Sequence, residues 1–174
     1  MAVTDRMKTT WRAVCRHRLW LSLCARVVLA GFWLWAGLSK VGDPTGSIAA
    51  VKAYRLLPDA AASVVGAALP MVEIALGLTL LLGFAVRAGA VVSAVLQLMF
   101  IIGIATAAAR GLRIDCGCFG GGGELSSTES TRYTAEIGRD IGLLLVAGML
   151  AIWPMSRFGL DYRHQRREAK QLHP

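Results

Sequence analysis

Four long stretches with almost no charged residue constrain this chain more than any other feature. A transmembrane helix needs about 20 consecutive, mainly apolar residues to cross the hydrocarbon core of a bilayer. The last stretch, residues 141–156, reaches this length if residues 137–140 form the first turn of the same helix. The chain is also 55% hydrophobic, which is more than an ordinary soluble domain contains. The pattern predicts an all-α membrane protein, a bundle of four transmembrane helices formed by residues 19–38, 60–86, 88–109 and 137–156.

The connector between the first two stretches has a different pattern. Apolar residues recur every three positions from Ile48 to Leu57, and Lys52 and Arg55 lie between them. A helix with one apolar and one basic face is typical of a segment that lies along the membrane surface. The connector therefore predicts a short interfacial helix between helices 1 and 2, which Pro58 ends.

The basic residues outside the apolar stretches are divided unequally between the two ends of such a bundle. Residues 1–18 and 157–174 hold five each, and Arg87 adds one between the second and third stretches. The two loops at the opposite end hold six between them. The more positive end of a membrane protein faces the cytoplasm. The sequence therefore predicts a bacterial plasma-membrane protein with both termini in the cytoplasm and the loop after the third stretch outside it.

The same charges bear on partners and on domain organisation. A net charge of +8 in a soluble protein would suggest nucleic acid. Because the charges lie at the ends of a membrane chain, they favour contact with anionic lipids instead. The predicted organisation is a basic segment 1–18, a membrane domain 19–156 and a basic tail 157–174. Cys15 and Cys24 would then lie at or inside the cytoplasmic face, and we assign them no role.

Cys116 and Cys118 are separated by a single glycine in the loop after the third stretch. Two neighbouring thiols can carry out thiol–disulfide exchange, in which one attacks a partner and the other resolves the mixed disulfide. A permanent disulfide that pins the loop and one half of a metal site are the alternatives. The spacing is narrower than the usual zinc pattern and no His is near in sequence, so we predict no metal. Four glycines at residues 120–123 predict an open and mobile site.

Four charged residues lie where a membrane bundle should exclude charge. Glu73 interrupts the second stretch, Lys40 follows the first, and Arg139 and Asp140 precede the uncharged part of the fourth. An ionisable side chain inside a membrane is expensive, which makes it a candidate functional residue. We predict that these four residues form one polar cluster below the cysteine loop, which relays protons or binds a polar ring such as a quinone. A buried structural ion pair that orients the bundle is the alternative.

These motifs, taken together, resemble a group of small bacterial membrane proteins with four helices, the MauE/DoxX-like family, and especially its MauE members. The resemblance covers roughly residues 25 to 153, and the cysteine loop is its most specific element. It is carried by Gly37-Leu38-Ser39-Lys40, Leu56-Leu57-Pro58, Pro70-x-x-Glu73, Asp115-Cys116-Gly117-Cys118-Phe119-Gly120 and Arg139-Asp140.

The resemblance implies a function as well as a fold. MauE proteins are thought to help disulfide formation or thiol redox maturation of exported proteins, often beside a thioredoxin-like partner. DoxX proteins are associated with quinone-linked oxidation of sulfur compounds, and they need not carry the cysteine pair. The pair in this sequence therefore favours the MauE interpretation.

The sequence as a whole predicts a membrane protein of extracytoplasmic thiol–disulfide exchange. Cys116 and Cys118 are the predicted redox couple, supported in their loop by Gly117, Phe119 and Gly120. A thioredoxin-like or exported thiol protein is the expected partner. A membrane quinone is the expected electron acceptor, inferred from location and family because the sequence has no quinone motif. Two alternatives stay open: a non-enzymatic membrane scaffold with a structural disulfide, and a DoxX-like subunit of a quinone-reducing oxidase. The sequence does not define the oligomeric state, the direction of electron flow or the cysteine that attacks first.

Overall fold

The described part of the chain folds into five helices and one very short β-ladder. A computed structural model describes residues 2–125 and 130–154, with side chains from residue 19 onward. The predicted basic tail 157–174 and the last residues of the predicted membrane domain lie outside the described residues. In chain order the elements are α1 (Ala2–Val41), α2 (Pro44–Ala53), α3 (Asp59–Leu82), α4 (Val86–Ala109), β1 (Ile114–Asp115), β2 (Gly123–Glu124) and α5 (Tyr133–Ile152).

The predicted all-α class is confirmed, and the prediction of four membrane spans is supported in part. Within the described residues, three segments are long and apolar enough to cross a bilayer: Leu19–Val41, Asp59–Leu82 and Val86–Ala109. The fourth long helix, α5, differs because Glu136, Arg139 and Asp140 all lie in its first two turns. Charged residues in that part of the helix lower its mean hydropathy, although the part that follows is apolar.

Contacts between distant residues show how the long helices are arranged. Near one end of the bundle the Ser22 hydroxyl donates a hydrogen bond to the Trp153 carbonyl at 3.0 Å, so the start of the apolar part of α1 meets the end of α5. Near the middle, Trp33 Nε1 donates to Ser93 Oγ at 2.9 Å and joins α1 to α4. The bundle core is apolar around Trp33, and its buried members are Leu29, Ala30, Trp33, Leu76, Leu80, Val86, Ala90, Ala147 and Leu150.

At the other end of the bundle, α1 and α3 approach each other very closely. A Cβ atom on Gly37 would lie 2.8 Å from the Pro70 carbonyl oxygen, so only glycine fits there. Lys40 lies three residues after Gly37, and Glu73 lies three residues after Pro70. The two helices run antiparallel, since Gly77 of α3 packs against Leu34 of α1. Lys40 and Glu73 therefore lie on either side of this close approach, and their side chains meet across it.

The short helix between α1 and α3 is present, with bounds that differ from the prediction. It starts at Pro44, since the Asp43 side chain accepts a hydrogen bond from the Gly46 N–H and caps the first turn. It ends at Ala53, before the predicted stop at Pro58, because Arg55 takes a left-handed backbone conformation with φ 51°. Pro58 instead caps the start of α3.

Helix α5 also starts earlier than predicted, at Tyr133 rather than residue 137. The Tyr133 hydroxyl donates to the Leu112 carbonyl and accepts a hydrogen bond from the Ile114 N–H. These bonds fix the first turn of α5 against the chain that leaves α4. As a consequence Glu136, which the sequence places in the loop, belongs to the first turn of α5.

Candidate functional site

The cysteine loop is held between a short β-ladder and helix α2. In the ladder, Ile114 pairs with Glu124 and Asp115 with Gly123, so the loop between them returns on itself. The Tyr54 hydroxyl, just after α2, donates to the Cys116 carbonyl at 3.3 Å. The two elements together fix the position of the loop backbone at Cys116.

Gly117, Gly120 and Gly122 allow close packing, whereas Gly121 and Gly123 face open space, so the openness that the glycine run predicts holds at two of its four positions. Gly117 has φ +66°, which L-residues rarely adopt, and its N–H donates to Asp115 Oδ1 at 3.0 Å. A Cβ atom at Gly117 would lie 2.6 Å from the Ala50 Cβ atom on α2. Gly120 is equally close-packed, since its Cβ would meet the Ser39 carbonyl oxygen at 2.9 Å. The loop therefore lies flat against the ends of α1 and α2.

The two thiols are unbridged, and they differ in their exposure. Cys118 is 5% exposed and Cys116 is half-buried. The Cys118 N–H points at Cys116 Sγ, at 3.3 Å. The more accessible sulfur, on Cys116, is therefore also the one that receives a backbone hydrogen bond, which stabilises a thiolate there.

The guanidinium of Arg139 lies beside both sulfur atoms. One terminal nitrogen is 3.2 Å from Cys118 Sγ and 3.9 Å from Cys116 Sγ. The Arg139 Nε atom donates to Asp140 Oδ1 at 2.8 Å, which orients the guanidinium plane. A cation at this distance stabilises negative charge on either sulfur.

Two aromatic rings complete the surroundings of the guanidinium. Its central carbon lies 5.1 Å from the Phe119 ring centroid and 5.7 Å from that of Phe32, a range in which cation–π attraction operates. The Phe32 and Phe119 rings pack edge to face, with centroids 5.6 Å apart. Phe119, predicted to support the loop, thus lies over the guanidinium, while Asp140 holds it through Nε.

The surroundings move the pKa values of the two thiols in opposite directions. The pKa of Cys116 is lowered, chiefly by its hydrogen bonds with Cys118 and also by the bond from Arg139, and this outweighs the opposing effect of burial. The pKa of Cys118 is raised, chiefly because its thiol donates to Cys116 and because it is buried. Of the two thiols, Cys116 therefore ionises at the lower pH, and Cys118 keeps its proton to a higher pH.

One acidic residue that the sequence analysis did not single out also reaches the thiols. Ligand atoms of Asp115, Cys116 and Glu136 all lie within 4.8 Å of one another. Such a set of one sulfur and two oxygens has the donor atoms of a metal site. However, the Arg139 cation already lies 3.9 Å from the same sulfur, and its repulsion weakens any bound cation. The signal for Glu136 was its spacing, three and four residues before Arg139 and Asp140, which places all three on one helix face.

The four charged residues predicted to form one cluster instead form two separate ion pairs. Lys40 Nζ donates to Glu73 Oε1 at 2.6 Å, with side chains 4% and 0% exposed. Arg139 pairs with Asp140. Among residues 19–125 and 130–154, no hydrogen bond or ion pair links one pair to the other. Glu73 Oε2 and Asp140 Oδ2 are buried and without a hydrogen-bond partner in this part of the chain.

A small cavity lies between the Lys40 end of one pair and the cysteine loop. Its volume is about 50 Å³, which is room for a few water molecules at about 10–15 Å³ each. Lys40 and the two cysteines therefore face a common space. The cavity is lined by Lys40, Ser47, Ala50, Val51, Tyr54, Gly66, Leu69, Pro70, Phe100, Cys116, Gly117 and Cys118.

Known proteins resemble the chain over most of its helical part. Residues 18–154 match the family model described as methylamine utilisation protein MauE. Over 98 residues the chain is 38% identical to the "Methylamine utilization protein MauE" of Paracoccus denitrificans. The aligned part covers 56% of this chain and 53% of that relative, so the chain spans about half of the relative's length. No solved structure matches the chain.

Proposed function

The chain belongs to the MauE family, and we propose that it is a multi-pass membrane protein that carries out thiol–disulfide exchange through Cys116 and Cys118. The observation that carries the proposal is the Arg139 guanidinium, which lies within 4 Å of both sulfur atoms. A disulfide that only pins a loop needs no cation beside it. A thiolate that attacks a partner does need one, because the charge would otherwise be unfavourable in a half-buried site.

The proposed exchange starts from the reduced pair. The Cys116 thiolate attacks one sulfur of a partner's disulfide, the partner's S–S bond breaks, and its second sulfur leaves as a thiolate. The Cys118 thiol then loses its proton and attacks Cys116 Sγ, which forms the Cys116–Cys118 disulfide and releases the partner's first sulfur. The pair has given up two electrons and the partner disulfide has gained them. The same steps in reverse oxidise a partner dithiol.

A membrane quinone is the proposed oxidant of the reduced pair when the protein works as a disulfide former. Two thiols and one quinone give one disulfide and one quinol, so two electrons and two protons move to the ring. What supports this proposal is that a buried cation, Lys40, and both cysteines line one space, although at about 50 Å³ that space would have to widen to admit a quinone ring. Adding a soluble, fully substituted benzoquinone, which has no unsubstituted ring carbon to which a thiol can add, to the reduced protein in detergent should consume two thiols and form one disulfide per quinol. Unchanged thiols would remove the quinone from the scheme.

The proposed partner is a thioredoxin-like or exported thiol protein on the extracytoplasmic side of the bacterial plasma membrane, with both termini of this chain in the cytoplasm. The more positive end of the chain supports this orientation, and its basic segments would contact anionic lipids. The Paracoccus relative is named for methylamine utilisation. By extension, an exported protein of methylamine utilisation is the proposed client.

The test of the proposed function uses oxidised glutathione as the partner disulfide. In purified Cys118→Ala protein, Cys116 attacks glutathione but cannot be resolved, so a glutathione adduct should accumulate on Cys116. The matched Cys116→Ala variant should form much less, because Cys118 is buried and protonated. Equal, slow labelling of the two variants would favour the scaffold alternative.

A further inference from the structure

We propose that Glu136 is the proton acceptor for Cys116, and so a catalytic residue of the exchange site. The inference rests on the proposed role of Cys116 as the attacking thiol. In the step, the Cys116 S–H bond breaks and an O–H bond forms on the Glu136 carboxylate. The negative charge moves from the carboxylate to the sulfur, where the Arg139 guanidinium lies 3.9 Å away.

The first argument is the position of the Glu136 carboxylate. It lies in the first turn of α5, and one of its oxygens is within 4.8 Å of Cys116 Sγ. Its Oε2 atom is buried and has no hydrogen-bond partner among the described residues. A buried carboxylate oxygen without a donor is unfavourable, and taking up a proton relieves that cost.

The second argument is the balance of charge at the site. Two anions this close repel each other strongly in a half-buried environment, so a carboxylate and a thiolate do not both persist at neutral pH. The cation nearest to them, Arg139, is already paired with Asp140. Glu136 and Cys116 therefore share one proton and carry one negative charge between them.

The other groups near Cys116 are less suited to accept its proton. Asp115 is exposed, and its Oδ1 atom already accepts the Gly117 N–H at 3.0 Å. Burial raises the pKa of Tyr54, whose hydroxyl donates to the Cys116 carbonyl, so Tyr54 stays protonated. The titratable and charged groups that face Cys116 from all neighbouring elements are Lys40, Tyr54, Asp115, Cys118, Glu136, Arg139 and Asp140.

The experiment follows alkylation of Cys116 by iodoacetamide as a function of pH, in the full-length reduced protein in detergent. Peptide mass spectrometry separates Cys116 from the other cysteines. When a carboxyl and a thiol share a proton, part of the thiol is ionised over the whole range between their two titrations. The wild-type rate should therefore rise in two steps with a plateau between them.

In Glu136→Gln the plateau should vanish, and the rate should fall about tenfold for each pH unit below a single midpoint. Glu136→Ala is the second variant and should behave alike. Asp115→Asn is the matched control and should keep both steps, with the first at lower pH because the charge of Asp115 raises the pKa of Glu136. Two steps that persist in the Gln and Ala variants, or that vanish equally in Asp115→Asn, would overturn the assignment of Glu136.

The result is separable from the proposed function. A plateau that depends on Glu136, together with no glutathione adduct on Cys116 in Cys118→Ala, would support the proton transfer and contradict the exchange reaction. If the glutathione adduct forms readily but the pH profile does not depend on Glu136, the exchange reaction is supported and the proton transfer to Glu136 is contradicted.

Discussion

One terminal nitrogen of Arg139 faces Cys118 Sγ at 3.2 Å and Cys116 Sγ at 3.9 Å. The same cation therefore stabilises negative charge on either sulfur without moving. In the proposed exchange the negative charge is on Cys116 when it attacks the partner and on Cys118 when it resolves the mixed disulfide, so a single fixed cation would serve both steps. Asp140 and the two phenylalanine rings hold the guanidinium in this position.

Replacing the cation should make Cys116 less reactive. In Arg139→Gln we expect the pKa of Cys116 to rise, because the hydrogen bond and the positive charge that stabilise its thiolate are lost. Alkylation at neutral pH should slow accordingly, by about tenfold. The matched control is Arg132→Gln, an exposed arginine at the start of the same helix, which should leave the rate unchanged. Equal rates in both variants would remove Arg139 from the thiol chemistry.

The two cysteines should react with alkylating reagents in a fixed order. The lowered pKa of Cys116 means that its thiolate forms at a lower pH than the usual value of about 8.5 for a free cysteine. Cys118 should stay unmodified at neutral pH because it is buried and its pKa is raised. Peptide mass spectrometry after brief iodoacetamide treatment checks this, with the same peptides from SDS-unfolded protein as reference. If Cys118 is labelled before Cys116, the assignment of Cys116 as the attacking thiol is contradicted.

The helices were predictable because long apolar stretches leave few other structures for a chain in a membrane. The cysteine loop was equally visible, since its motif is local. The sequence predicted that Lys40 and Glu73 lie in one cluster with other charged residues, but it did not predict that these two pair with each other. Which charges pair depends on the close approach of α1 and α3 at Gly37, a contact between residues far apart in sequence.

Glu136 shows how an error of a few residues hides a candidate site residue. Because the predicted helix began at residue 137, Glu136 was assigned to the loop, and its helical spacing from Arg139 and Asp140 was overlooked. The early start of α5 depends on hydrogen bonds from Tyr133 to Leu112 and Ile114, which no local propensity reveals. The glycine run shows a similar limit of the sequence. Gly121 and Gly123 face open space but Gly120 and Gly122 pack closely, and glycine permits either arrangement.

The Lys40–Glu73 pair gives a prediction about stability. Glu73→Leu leaves the Lys40 ammonium buried without its partner, which should cost about 3–5 kcal/mol. The double variant Lys40→Met/Glu73→Leu should recover most of this loss, because it removes both charges. The free energy of unfolding by SDS titration in mixed micelles measures both effects.

An exposed ion pair provides the control for that experiment. Arg55 and Glu124 pair with side chains 61% and 64% exposed, and Glu124→Gln should change the free energy of unfolding by about 0–1 kcal/mol.

The double variant Lys40→Met/Glu73→Leu also tests whether Glu73 relays protons to or from the cysteine pair. If Cys116 and Cys118 in this variant are oxidised by the same substituted benzoquinone at the wild-type rate, the Lys40–Glu73 ion pair has a structural role alone.

The orientation in the membrane is testable by reporter fusion. Alkaline phosphatase becomes active only where its disulfides form, outside the cytoplasm. A fusion after Ser127, in the cysteine loop, should be active, and a fusion after Pro174 should be inactive. Green fluorescent protein fused at the same two positions is the complementary reporter and should give the opposite pattern. Activity only at Pro174 would place the cysteine pair in the reducing cytoplasm.

The contact between Gly117 and Ala50 gives a prediction about access to the buried thiol. In Gly117→Ala the new Cβ would meet the Ala50 Cβ atom at 2.6 Å, and the backbone would be strained at φ +66°. The strain alone should cost about 1–3 kcal/mol. The loop should therefore lift from α2 and expose Cys118, whose alkylation rate in the folded protein reports the opening.

Two further variants separate the contact from the backbone strain. Gly121→Ala, at φ +70° with no atom within 4 Å of the new Cβ, should show the cost of strain alone. Adding Ala50→Gly to Gly117→Ala should restore protection of Cys118 in part, because it removes the clash but not the strain. Ala50→Gly by itself completes the double-mutant cycle and accounts for the cost of glycine inside α2, about 0.5–1 kcal/mol. A coupling of zero between positions 50 and 117 would mean that the loop does not rest on α2 in the folded protein.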